Sequence, residues 1–219
     1  MKLVWIGCNA VAVVTTLICM SYLYYACRPQ GRAKLPIVSI LIIGLTVVAT
    51  GLQFAQPQVL EMLRRDPAAI ARGEYWRFLT ALFVQPYGVG QVIANAFLLL
   101  AFMPASERLY GKGVLVVFLA AGLAGQTVNY FWESGSGGSS TAAFGLMGSL
   151  LIYIFRNRRA LLFPFLLLAS AGFLAAAVMV WVRDGHGVGL FVGALVSLVL
   201  PLAPMTFRET RRAAAEAAA

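Results

Sequence analysis

Apolar residues run in seven long blocks, and most polar residues are confined to the segments between them. The blocks fall near residues 3–26, 36–56, 88–105, 113–132, 139–155, 160–182 and 186–206. Most approach the ~20 residues with which a helix crosses ~30 Å of hydrocarbon. The pattern predicts an all-α membrane protein. The fifth block is short. From Ser140 to Phe155 a helix is only ~24 Å long, so its start is expected below the outer surface. The Gly/Ser segment leading into it would then line a cavity that water can enter, because irregular backbone at depth must be buried in protein or wetted.

Composition agrees. Of 219 residues, 61% are hydrophobic and 11% charged, too little polar surface for a soluble domain. The net charge of +9 does not point to nucleic acid, because no basic run is interleaved with aromatics. Its distribution gives orientation instead. Arg28, Arg32, Lys34, Arg108, Lys112, Arg156, Arg158, Arg159, Arg208, Arg211 and Arg212 fall in segments that share one side if every block crosses. That side and the C-terminus are expected in the cytoplasm. The loop 57–87 carries Arg64, Arg65, Arg72 and Arg77 on the other side; its mixed apolar and basic stretches suit the interface. The first block reads as a retained anchor rather than a cleaved signal, with Tyr24 where a small residue would precede a cut and three basic residues following. Short loops and this charge bias suit a bacterial inner membrane. Cys8, Cys19 and Cys27 are too far apart on one helix for disulfides. A single histidine offers no metal cluster, and no cofactor is expected.

That histidine, His186, opens the last block from the outer side, and Ser140 opens the fifth from the same side. A hydroxyl becomes a useful nucleophile when a base takes its proton, and imidazole suits this near neutral pH. The pair must come within hydrogen-bond reach. Gly189 and Gly193 lie on the face of His186, and Gly145 and Ser149 form a similar pair on the fifth block; small residues at this spacing let membrane helices touch at backbone distance. An oxyanion would need donors. Candidates are the free N–H groups opening the fifth helix, and Gln91 and Asn95, four apart on one face of the third block. Read alone, the glycines are equally packing residues and the two amides equally interhelical hydrogen-bonding groups.

These residues together resemble the rhomboid family of intramembrane serine proteases. Gly138, Ser140, Phe144 and Gly148 hold the spacing of its serine motif. His186, Gly189 and Gly193 match its His-x-x-Gly-x-x-x-Gly. Gln91 and Asn95 stand in its His-x-x-x-Asn with the histidine replaced, Trp76 and Arg77 match its first-loop Trp-Arg pair, and Glu107 matches an acidic residue just after its second core helix. The resemblance implies a six-helix core over residues 36–206. Residues 1–35 would add an N-terminal transmembrane helix and a basic cytoplasmic loop, and 207–219 a cytoplasmic tail.

It also implies a Ser140–His186 dyad with no third acid. Asn95, Gln91 and the Ser140 amide would hold the oxyanion, with Gly138, Phe144, Gly189, Gly193, Trp76 and Arg77 in support and Phe144 packed on the imidazole. The substrate would be a single-span membrane protein, cut within the bilayer near its outer face. Ser139 is expected as a helix cap. Thr141 stands where the family usually has glycine and would narrow the site or restrict its backbone. With Gln91 it marks the alternative, an inactive relative that binds membrane helices.

Overall fold

The computed structural model describes residues 2–30, 35–132 and 137–207. In chain order the elements are α1 (Lys2–Ala26), β1 (Cys27–Pro29), α2 (Ile37–Ala55), α3 (Pro57–Leu63), α4 (Pro67–Ala71), α5 (Arg77–Thr80), α6 (Val89–Tyr110), α7 (Val114–Phe131), α8 (Ser140–Arg156), α9 (Phe163–Trp181), α10 (Gly185–Val199) and β2 (Met205–Phe207). Arg32, Lys34 and the tail from Arg208 lie outside the described residues. Among those described, Leu3–Ala26, Ile37–Ala55, Val89–Phe131 and Phe163–Trp181 are long and apolar enough to cross a membrane. A 3-10 turn at Gly111–Gly113 divides Val89–Phe131 into α6 and α7. The apolar helices α8 and α10 are shorter.

Helix α8 lies at the centre, packed by α10, α7, α6, α1 and α9. Every residue from Thr141 to Leu151 is buried. Its small residues decide which neighbour comes closest. A Cβ at Gly148 would strike the Leu190 carbonyl of α10, and one at Gly145 would strike Ala121 of α7. The expected pair of Gly145 and Ser149 does not serve one neighbour, since Gly145 meets α7 and α10. Ser149 turns to α6, where its Oγ lies 2.9 Å from the Ser106 Oγ. Large side chains fill the rest of the core, with Phe102, Phe118 and Tyr153 fully buried, and others such as Leu41, Val47 and Val48 of α2 and Leu174 and Trp181 of α9 are exposed at the rim, as lipid-facing positions require.

Helix α1 packs chiefly on α9 and along one edge of α8. Tyr22 stacks on Phe165 at 3.6 Å between ring centroids, and its hydroxyl accepts from the Leu162 N–H at 3.0 Å. Beyond α1 the chain forms a short antiparallel ladder, Cys27 opposite Phe207 and Pro29 opposite Met205. Hydropathy placed Cys27–Pro29 in a loop and residues up to 206 in the last helix, so both assignments are corrected. Helix α10 stops at Val199. Pro201 and Pro204 cannot continue it, and the Arg156 guanidinium takes the terminal carbonyls of Ser197 and Leu200.

The third block also ends later than expected. Helix α6 runs through Pro104 to Tyr110, so Glu107 lies within it rather than after it. The polar residues that mimicked a loop are consumed by partners. Glu107 accepts from the Val38 and Ser39 N–H groups, at 3.0 and 2.8 Å, and from the Ser39 hydroxyl at 2.6 Å. It thereby closes the N-terminus of α2, where backbone donors and the helix dipole favour an anion. Arg108 donates to the Cys27 carbonyl.

Residues 57–87 are not a plain loop. Pro57 and Pro67 start α3 and α4, where a missing N–H costs nothing. Asp66 caps α4 by accepting from Ala69 N–H at 2.8 Å, and that bond holds its carboxyl below the usual carboxylate range.

Candidate active site

Ser140 and His186 are the first and second residues of their helices. The serine Oγ lies 2.8 Å from the imidazole Nε2. This needs backbones in contact, and the glycines provide it. A Cβ at Gly189 would strike the Thr141 carbonyl, and one at Gly193 would strike the Gly145 carbonyl. Two further glycines, not singled out from sequence, seat the start of α10 against other helices. Gly185 abuts the Asn129 side chain of α7, and Gly187 the Ala176 carbonyl of α9. The Gly185 N–H also donates to Asn129 Oδ1 at 3.1 Å. The imidazole thus projects from a helix turn fixed on three sides. Phe144, one turn along α8, packs on it with ring centroids 4.7 Å apart.

The approach to Ser140 is built from glycine. Gly137 and Gly138 have φ of 144° and 126°, backbone that only glycine adopts without strain. The Gly138 N–H donates to the Ala81 carbonyl at 2.8 Å, and its carbonyl accepts from Gln126 Nε2 at 3.0 Å. Gln126 is held in turn by the buried Arg65 guanidinium, whose pKa burial pushes down to about 10. Gln91 and Asn95 converge on Gly138, their amide nitrogens flanking its Cα. One N–H of each is taken: Gln91 Nε2 donates to the Gly137 carbonyl at 3.0 Å, and Asn95 Nδ2 to Gln85 Oε1 at 2.7 Å. A carboxamide carries two N–H donors, so among the described residues each retains a second.

Other expected residues fall elsewhere. Trp76 is exposed. Arg77 is buried but works inside residues 57–80, donating to Glu74 Oε2 and the Glu61 carbonyl, both at 2.8 Å, and to the Arg64 carbonyl at 3.1 Å. Its link to the site is indirect, through the segment that ends at Ala81. Ser139 occupies the cap position of α8 but makes no capping bond, because its own backbone is already helical. Its hydroxyl instead accepts from Gln85 Nε2 at 3.4 Å. Thr141 does not narrow the site. Its Cβ and Cγ2 fill the space left by Gly125 of α7, a full helical step round from Ser140.

Sequence reasoning missed an acid. Asp184 Oδ1 lies 2.6 Å from His186 Nδ1 and also accepts the His186 backbone N–H at 3.0 Å. Its second oxygen, Oδ2, accepts from Asn9 Nδ2 of α1 at 3.1 Å. Burial pushes this carboxyl up, but the hydrogen bonds and charge of His186, with the Asn9 amide, outweigh it and hold the group below its ordinary range. The available signal was an aspartate two residues before the histidine, at a helix N-cap. Gln53, Gln85, Gln126 and Asn129 were also missed.

A central short helix, a second joined to it through glycines, and a serine paired to a histidine at their N-terminal ends make up the frame of the site. A family model, the Rhomboid domain, matches residues 72–202, and the chain belongs to the rhomboid family of multi-pass membrane proteins. It is 36% identical over 97 residues to the rhomboid protease GluP of Bacillus subtilis, covering 43% of this chain and 19% of that protein. Against YdcA of the same organism it is 32% identical over 114 residues, 48% of this chain and 57% of the other. Against the mitochondrial RHOMBOID-like protein 6 of Arabidopsis thaliana it is 27% identical over 143 residues, 61% and 46%. The chain thus spans less than two thirds of each of these relatives.

Proposed function

We propose that this chain is an intramembrane serine endopeptidase. The observation that carries the reading is the 2.8 Å approach of Ser140 Oγ to His186 Nε2. Ser140 gives its proton to Nε2 as Oγ bonds to a peptide carbonyl carbon. The resulting oxyanion is met by the Ser140 N–H and the second N–H groups of Asn95 and Gln91. The intermediate collapses when Nε2–H protonates the leaving amine. Water, deprotonated by the same nitrogen, then attacks the acyl-enzyme; the acid product leaves and Ser140 regains its proton.

The substrates are single-span membrane proteins, cut near the outer face because both reacting groups sit at the tops of short helices. Residues 36–206 form a six-helix core, 1–35 an added crossing with its basic loop, and 207–219 a tail on the cytoplasmic side. Arg108 and Arg156 support this orientation, since both lie at the ends of their helices away from the Ser140–His186 level. A bacterial inner membrane fits the charge bias.

The test is fluorophosphonate labelling of the full chain in lipid, with cleavage of a panel of single-span substrates. Wild type is expected to label and cleave, Ser139→Ala to do both, and Ser140→Ala and His186→Ala to do neither. Wild type that binds membrane helices but neither labels nor cleaves would instead establish the inactive relative.

A further inference from the structure

The imidazole is held on both nitrogens, and the second hold has no place in a two-residue mechanism. We propose that Asp184, braced by Asn9 of α1, is a positioning residue that fixes His186 as the Nδ1–H tautomer, which makes the first helix part of the catalytic apparatus. The inference rests on the reading of Ser140 as nucleophile and His186 as base.

A neutral imidazole carries one proton. For Nε2 to take a proton from Ser140 Oγ, that proton must sit on Nδ1. An ionised carboxylate only accepts, so the 2.6 Å contact of Asp184 Oδ1 with Nδ1 selects that tautomer. The same carboxylate would face the imidazolium formed when Ser140 gives up its proton. It takes no proton itself.

Capping alone does not account for the arrangement. The bond to the His186 backbone N–H satisfies the helix end, and the ring contact is additional. Nor is the carboxylate free to turn. Its side chain is 7% exposed, and Asn9 holds the outer oxygen while also donating to the Trp5 carbonyl at 2.8 Å. The brace therefore comes from a helix 175 residues away in sequence. Without it, Oδ1 would be held by the ring and the His186 backbone N–H alone, and the carboxylate plane would be free to tilt about them.

The chain has one histidine, so labelling with ¹⁵N-histidine gives a spectrum of this ring alone. The experiment uses the full chain in lipid under alkaline conditions, beside kcat and KM for a cleaved span. Asp184→Asn is the main variant, because asparagine caps helices as well as aspartate and should fold. Wild type is expected as the Nδ1–H tautomer. Asp184→Asn should move the population toward Nε2–H and lower kcat by about 10²–10⁴-fold with KM little changed. Asp184→Glu should restore part of both, and Asn9→Leu should move both in the same direction by less.

An unchanged tautomer in Asp184→Asn, or a changed one with wild-type kcat, overturns the proposal. An Asn9→Leu protein identical to wild type removes α1 from it. Wild type that neither labels nor cleaves removes the protease reading instead, and the tautomer signal then still decides what Asp184 does to the ring.

Discussion

The Cα of Gly189 on α10 rests against the carbonyl of Thr141, the residue after Ser140 on α8. A methyl group there must push two helices apart at the level of the serine and histidine. Gly189→Ala is expected to cost about 1–3 kcal/mol, as overpacking does, and to abolish fluorophosphonate labelling. Gly51→Ala on α2 is the control, since nothing lies within 4 Å of its added Cβ; its stability should stay within about 0.5 kcal/mol. Both are read by unfolding in mixed micelles.

Thr141 packs its β-branch against Gly125, while its buried hydroxyl has no hydrogen-bond partner among the described residues. Valine keeps the shape and removes the orphan. Thr141→Val should be neutral or stabilising by up to about 1–2 kcal/mol, with labelling retained. Thr141→Gly, which restores the residue usual in the family, should lose stability by opening a void and leave labelling intact. A large gain in labelling in Thr141→Gly would mean that the threonine does obstruct the site.

Gln53 of α2 and Gln85 form a reciprocal pair. The Gln53 amide donates to the Gln85 carbonyl at 2.9 Å, and its oxygen accepts the Gln85 N–H at 2.7 Å. Gln85 carries Asn95 and Ser139 on its own side chain. Gln53→Leu strands two buried backbone groups at about 1–3 kcal/mol each. It should also lower kcat, because Asn95 loses its fixed support. Unfolding free energy and turnover, measured on one preparation, check both.

The carboxyl of Asp184 is held below its ordinary value, so its contribution to stability follows a definite pH course. It is complete above about pH 4, the unfolded carboxylate value, and is lost as pH falls through the lower folded value. Melting temperatures of wild type and Asp184→Ala should therefore differ near neutrality and converge in strong acid. A constant difference across that range would show that the charge of Asp184 contributes nothing.

Much of the bundle was legible because bilayer physics forces long apolar runs and places small residues where helices touch. Helix α2, expected over 36–56, spans Ile37–Ala55, and the blocks around Ser140 and His186 begin within two residues of their helices. What stayed hidden depends on pairings with no local trace. Asp184 reads as a loop residue until Asn9 and the imidazole are seen around it. Gln85 and Gln126 look like isolated amides until Asn95 and Gly138 arrive from elsewhere in the chain. Pro201 and Pro204 were readable stop signals for α10, yet the apolar run across them argued for continuation. Ser139 shows the opposite failure: a good capping residue in the capping position, whose helical backbone points its hydroxyl elsewhere.

The placement of α1 also sets an order of events. Its upper end is tied to Asp184, its flank to α9 and its lower end to the strand at Met205–Phe207. A ribosome produces this helix long before any of those partners. Its earlier partners are Arg108 of α6, at the Cys27 carbonyl, and the edge of α8, and the brace on His186 forms only after Asp184 and His186 have emerged. A half-made chain that stops short of residue 184 holds Ser140 with neither His186 nor Asp184 beside it, so on the proposed mechanism it could not cleave a neighbouring membrane protein.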